Sequence, residues 1–128
     1  MTEPVWLDED IAIAIHNAMI ERHGGSEGVR DAGLLSSALE RPRNRQAYEQ
    51  PTLAELAAAY AFGIAKNHPF IDGNKRVAFM AAYTFLGLNG FQLVASETDA
   101  AIKFLALAAG ELEEVELADW IAANIEAV

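Results

Sequence analysis

Cysteine is absent from the 128 residues, so no disulfide staples the chain and no thiolate does its chemistry. A reducing compartment is compatible with that absence. Basic residues are scarce as well: 9 Lys and Arg stand against 19 Asp and Glu, a formal net charge of −10. Nucleic-acid binding draws on clustered cations, so no direct nucleic-acid partner is expected. No uninterrupted apolar stretch reaches membrane-spanning length, and the run from Val77 to Leu88 suits a buried central helix better. Met1-Thr2-Glu3-Pro4 has no basic segment leading into an apolar core, so no signal peptide is evident. No membrane partner is expected, and the expected location is the cytoplasm. Repeats, low-complexity tracts and interdomain linkers are missing too, which predicts one domain over residues 1–128. At that length a domain buries roughly two-thirds of its unfolded surface.

What is present reads almost wholly as helix. Leu7 to Arg22 carries an apolar stripe at Ile11, Ile15, Ala18 and Met19 and ends at Gly24-Gly25. Asp31 caps a short helix through Leu39, and Arg41, Arg43 and Arg45 then surround Pro42 in an expected loop. Thr52 with Glu55 forms a capping box that opens a long Ala-rich helix to about Asn67. A helix from Asn74 to Gly87 stops at Asn89-Gly90. Phe91 to Val94 is a short extended candidate, Ser96 caps a helix to about Ala108, and Leu117 to Ala127 makes the last helix. Alanine-dense helices let axes pack closely, so a helix can sit buried among its neighbours. Trp6 and Trp120 read as core or interface anchors.

Chemistry concentrates in His68-Pro69-Phe70-Ile71-Asp72-Gly73-Asn74-Lys75-Arg76. Pro69 disfavours helix at His68 and ends the preceding element there. Gly73 allows a sharp turn into the next helix, with Asn74 as its expected N-cap. The first turn of that helix offers free N–H groups and a positive dipole end, which suit an anion. Lys75 and Arg76 are disfavoured in that turn unless an anion is present. Asp72 is a hard oxygen donor of the kind Mg²⁺ takes beside phosphates. His68 is the one group in the loop whose ordinary pKa suits a general base near neutrality. Phe70 points inward and pins the loop. Taken singly, each residue has an ordinary explanation in a cap, a turn or a solvated pair; together, in this order, they do not. His16 is read as a helix-face residue and His23 as a favourable cation near a helix C-terminus.

This loop resembles the signature of the Fic-domain family, and more narrowly of its death-on-curing (Doc) branch. The resemblance covers Ile11 to Asn124 and takes in Gly28-Val29-Arg30-Asp31, Gly33-Leu34-Leu35 and the Asn89-Gly90 turn. It implies an all-α, single-domain helical bundle with a central buried helix following the loop, and room for one short β segment. It also implies ATP and Mg²⁺: His68 takes the proton from a target hydroxyl, and Asp72 holds the metal. Gly73, Asn74, Lys75 and Arg76 would grip phosphates with the helix N-terminal amides. AMP-transferring members have Gly where this chain has Lys75 and a second Arg where it has Phe79. The Asn-Lys-Arg order is that of the Doc branch, whose known activity is phosphorylation of a threonine in elongation factor Tu. The implied protein is therefore the toxin of a type II toxin–antitoxin pair, a protein kinase opposed by a Phd-like antitoxin. An AMP transferase and a non-catalytic binding module are the alternatives. By the same resemblance, the Arg41/Arg43/Arg45 region is a flap that aligns the protein substrate, or otherwise a solvated loop. The self-inhibiting pattern (S/T)-x-x-x-E-(G/N) of some relatives has no match, the nearest being Ser36 to Glu40, followed by Arg41.

Overall fold

The computed structural model describes residues 3–128 and is built mainly of helices. α1 (Glu9–His23) is opened by Asp8, whose side chain accepts the Ile11 N–H at 2.9 Å. Acids in its first turn and Arg22 and His23 in its last suit the helix dipole. Its buried stripe is Ala12, His16, Met19 and Ile20, whereas Ala18 faces solvent. Met19 of the expected stripe is buried and Ile11 and Ile15 pack against the core, so only Ala18 departs from it, and His16, read as a helix-face residue, lies on the buried face.

α2 (Ala32–Tyr48) begins where Asp31 accepts the Leu34 N–H at 3.0 Å, as expected, but it does not stop at Leu39. It runs through Pro42, so Arg41, Arg43 and Arg45 lie on a helix rather than on a loop or flap. Proline removes one helical N–H and crowds the preceding turn. Here its ring is buried, and ion pairs anchor the helix on both sides. Arg41 pairs with Glu114, and Arg45 reaches Glu49 at 3.1 Å, Glu55 at 3.0 Å and Glu114 at 3.4 Å. Arg43 sits over the Trp6 ring, 5.4 Å from its centroid.

α3 (Leu53–Asn67) opens with the expected capping box: Thr52 accepts the Glu55 N–H at 3.1 Å, and Glu55 accepts the Thr52 N–H at 2.9 Å. Leu56 to Ala61 are all buried, the mark of a helix enclosed on every side. Gly63 eases the close crossing of α2, since a Cβ there would lie 3.2 Å from the Ala38 Cα. Tyr60 is buried, accepts the Leu7 N–H at 2.9 Å, and has its phenol pushed up to about 12 by desolvation.

α4 (Asn74–Leu88) follows the loop and buries Val77, Ala78, Ala81, Ala82, Phe85 and Leu86 against its neighbours. Its N-cap is Gly73 at φ 77°, not Asn74, which is already helical. β1 (Phe91–Leu93), α5 (Glu97–Ala108), α6 (Glu114–Ala123) and β2 (Ile125–Ala127) complete the order. The last helix therefore starts and ends earlier than its apolar content suggested. A capping box between Glu113 and Glu116 opens it, and Asn124 closes it by donating its side chain to the Trp120 carbonyl at 2.8 Å. The final residues then pair antiparallel with β1, Phe91 opposite Ala127 and Leu93 opposite Ile125. One core cluster draws side chains from all six helices. No helix among the described residues is long and apolar enough to cross a membrane.

Candidate active site

The loop between α3 and α4 is built from its ends inward. α3 closes on His68, whose N–H bonds to the Ile64 carbonyl at 3.1 Å while its own backbone turns left-handed, φ 49° and ψ 56°. Among the described residues it is the only non-glycine with positive φ. That conformation costs an L-residue about 1–2 kcal/mol. Its imidazole is exposed. Pro69 and Phe70 are buried, and Phe70 stacks on His16 with centroids 4.2 Å apart and planes within 9°.

Three side chains and one backbone segment hold this loop. His16, 1% exposed, bonds through Nε2 to the Asp72 carbonyl at 2.9 Å. A carbonyl only accepts, so Nε2 is the donor in this bond. Asn74 accepts the Phe70 N–H at 3.0 Å and donates to the Phe70 carbonyl at 2.9 Å, closing the loop on itself. Both polar ends of Asn74 are thereby occupied, which makes it a positioning residue in this arrangement. From outside, the segment after α1 runs antiparallel to the loop, with Val29 bridged to Phe70. Arg30 and Asp31 N–H groups donate to the Pro69 carbonyl at 2.7 and 3.1 Å, and the Ile71 N–H to Gly28 at 3.1 Å. The Arg30 guanidinium donates to the carbonyls of His68 at 2.7 Å and Asn67 at 2.9 Å.

Asp72 presents an exposed carboxylate. Its Oδ1 accepts the Gly73 N–H at 2.8 Å and its Oδ2 the Ser26 N–H at 3.2 Å. Gly25 allows this approach: a Cβ there would stand 2.6 Å from Oδ2, and its φ is 119°. Each oxygen keeps a free lone pair. No group of three or more His, Cys, Asp or Glu among the described residues forms a metal cage. This donor set fits Mg²⁺ that arrives with phosphates and keeps its waters, rather than an all-protein site.

Lys75 and Arg76 lie exposed in the first turn of α4, where no side chain caps the helix. Neither pairs with a carboxylate among the described residues. They border a cleft of about 470 Å³ between α1, α4 and α5, with Arg22 and His23 on the same rim and Phe79, Met80 and Phe104 among its apolar lining. Glu97 is the one acid in the lining, against Arg22, Lys75 and Arg76, so the rim is cationic in balance and, beside an apolar floor, accommodates an anionic ligand with a hydrophobic part. Phe79 is fixed by its neighbours, edge-on to Phe104 at 5.1 Å and stacked with Tyr83 at 6.1 Å. A larger hollow of about 540 Å³, lined by Arg41, Arg45, Tyr48 and Glu114, shares no residue with the loop.

The structure thus brings His68, Asp72, Gly73, Asn74, Lys75 and Arg76 into one turn at the junction of α3 and α4, and it moves the Arg41/Arg43/Arg45 cluster into an ion-paired helix. A family model, the Fic/DOC family, matches residues 6–86, a span that includes this loop and the segment clamped to it. The chain belongs to the Fic/Doc family. A protein kinase doc of Escherichia phage P1 is 39% identical over 110 residues, covering 85% of this chain and 86% of its own. A toxin Doc of Mycolicibacterium smegmatis is 49% identical over 76 residues, 56% of this chain and 57% of its own. The residues whose support of this loop sequence reasoning did not find are His16, Gly25 and Arg30, read only as a helix-face residue, a helix stop and part of the family match. His16 was detectable in principle, since it shares the buried face of α1 with Ala12, Met19 and Ile20. Nothing local signalled that Gly25 and Arg30 would meet this loop.

Proposed function

We propose that this chain is a Doc-type toxin acting as a protein kinase, transferring the γ-phosphoryl group of ATP to a Ser or Thr hydroxyl of a translation factor. By family likeness that factor is elongation factor Tu. The observation that carries the reading is the α4 N-terminus: exposed, unpaired Lys75 and Arg76 beside Asp72, with packed Phe79 where an AMP-transferring loop carries a second arginine. Identity to a protein kinase doc over most of both chains supports it.

In this reading the imidazole of His68 takes the proton of the target hydroxyl as that oxygen bonds to the γ-phosphorus. The bond from the γ-phosphorus to the bridging oxygen breaks, and ADP leaves with that oxygen. Lys75, Arg76 and the α4 amides hold phosphate oxygens, and the apolar floor of the cleft accepts the uncharged part of the nucleotide. Asp72 would hold Mg²⁺, which when bound neutralises phosphate charge. Positioning and electrostatics carry most of phosphoryl transfer, so these parts suffice in kind. His16 and Asn74 keep the loop in register. The setting is cytoplasmic, and a Phd-like antitoxin completes a type II pair.

Induced expression in a bacterial host tests this. The wild-type chain is expected to stop growth and to phosphorylate elongation factor Tu, seen by mass spectrometry of the arrested cells. His68→Ala is expected to do neither. Growth arrest by His68→Ala equal to that of the wild type would instead favour a binding module.

A further inference from the structure

We propose that Arg30 is a positioning residue that locks His68 in the backbone conformation its role as base requires; this rests on the phosphoryl-transfer reading above. The Arg30 guanidinium donates through Nε to the carbonyl of His68 at 2.7 Å and through Nη2 to that of Asn67 at 2.9 Å. Those carbonyls belong to the two peptide planes that flank the His68 Cα. Each plane is rigid, so the only freedom between them is φ and ψ of His68. A planar guanidinium that grips both oxygens therefore fixes both torsions at once.

The lock has something to oppose. His68 sits at φ 49° and ψ 56°, and Pro69 steers a preceding residue toward extended backbone. Without the clamp, His68 is expected to relax to negative φ and so to re-aim its imidazole. Arg30 is itself held in place, because its own N–H bonds to the Pro69 carbonyl at 2.7 Å. No carboxylate pairs with it among the described residues, so at this exposed position only water competes with these carbonyls for its donors. The cation also meets the negative end of the α3 dipole. That last term is charge alone and Lys would supply it; the two-plane grip needs the fork.

Arg30→Lys and Arg30→Gln in the full chain separate those roles. NMR chemical shifts and the HN–Hα coupling of His68 report the sign of its φ. Wild type is expected to show positive φ, and both variants negative φ, with thermal stability largely kept by Arg30→Lys. In γ-phosphoryl transfer, turnover is expected to fall roughly 10²-fold in both variants while KM for ATP stays unchanged. Positive φ at His68 in both variants, or full turnover in Arg30→Lys, overturns the proposal. If wild type transfers no phosphoryl group, the kinase reading fails by itself, and the His68 torsion still decides whether Arg30 is a lock.

Discussion

At position 68 a helix ends left-handed on histidine, a place where glycine is the usual occupant. Such strain persists only where the surroundings hold it against relaxation, and here the Arg30 guanidinium does so against the preference Pro69 imposes, with the Val29 bridge and the bonds to the Pro69 carbonyl fixing the loop beyond. Asn74 is the second point of fixation, since both halves of its amide bond to the Phe70 backbone. Asn74→Ala is expected to cost about 1–3 kcal/mol by leaving those groups unpaired, and to lower activity with it. Asn74→Asp keeps the acceptor but strands the Phe70 carbonyl, so it should fall between. Urea melts alongside transfer rates check the order, and a fully stable, fully active Asn74→Ala would refute the positioning role. The loop's chemistry was legible in the sequence because its residues are adjacent. The supports were not: His16 bonds to a residue 56 positions away, and Arg30 to carbonyls 37 and 38 positions away. Asn74 was misplaced as a cap because propensity names good capping residues without saying which backbone group they serve.

Among the elements, α3 is the most plainly encoded, because its capping box is local. Glu55 is held below the ordinary carboxylate range, first by its bond from the Thr52 N–H, with the Arg45 hydrogen bond adding to it. A carboxyl depressed on folding contributes stability above its unfolded pKa, and that contribution is lost as pH falls through the folded value. Acidification below about pH 4 is therefore expected to erode the cap. Glu55 is only half-buried, so solvent screens the charge and the effect is small. Glu55→Gln keeps an acceptor without the charge and should show a flatter acid limb in thermal melts; equal slopes for the two chains would contradict this. α2 was the least legible element. Pro42 signals a break, and what outweighs it is burial and a distant partner, Glu114. Glu114→Gln is expected to destabilise by about 1 kcal/mol while leaving turnover unchanged. A loss of turnover without a loss of stability would restore a substrate-aligning role to the arginine cluster. The C-terminal strand escaped reading because its three residues pair with β1, more than 30 positions earlier, while looking locally like more helix.

For the molecule as a whole, the arrangement of charge matters more than its sum. The net charge is −10, yet Arg22, Lys75 and Arg76 meet at one cleft that holds a single acid, Glu97, and none of the three is ion-paired among the described residues, while Arg41 and Arg45 are tied to glutamates. Exposed charges of this kind are screened over about 8 Å at physiological salt. ATP affinity is expected to fall as ionic strength rises, and less steeply in Lys75→Gln; calorimetric titration over a salt series checks it, and a salt-independent affinity would contradict it. Apolar spacing and caps pointed to a helical chain, and the charge balance to no direct nucleic-acid partner. Neither revealed where the few free cations gather, because that depends on α1, α4 and α5 converging.

The most direct measurement of the central reading places label separately on the α- and γ-phosphates of ATP, with Mg²⁺ and a translating bacterial extract. The wild-type chain is expected to move γ-label to a protein band and no α-label. His68→Ala should lower that transfer about 10²–10⁴-fold. Transfer of α-label to protein would contradict the kinase reading and establish AMP transfer in its place.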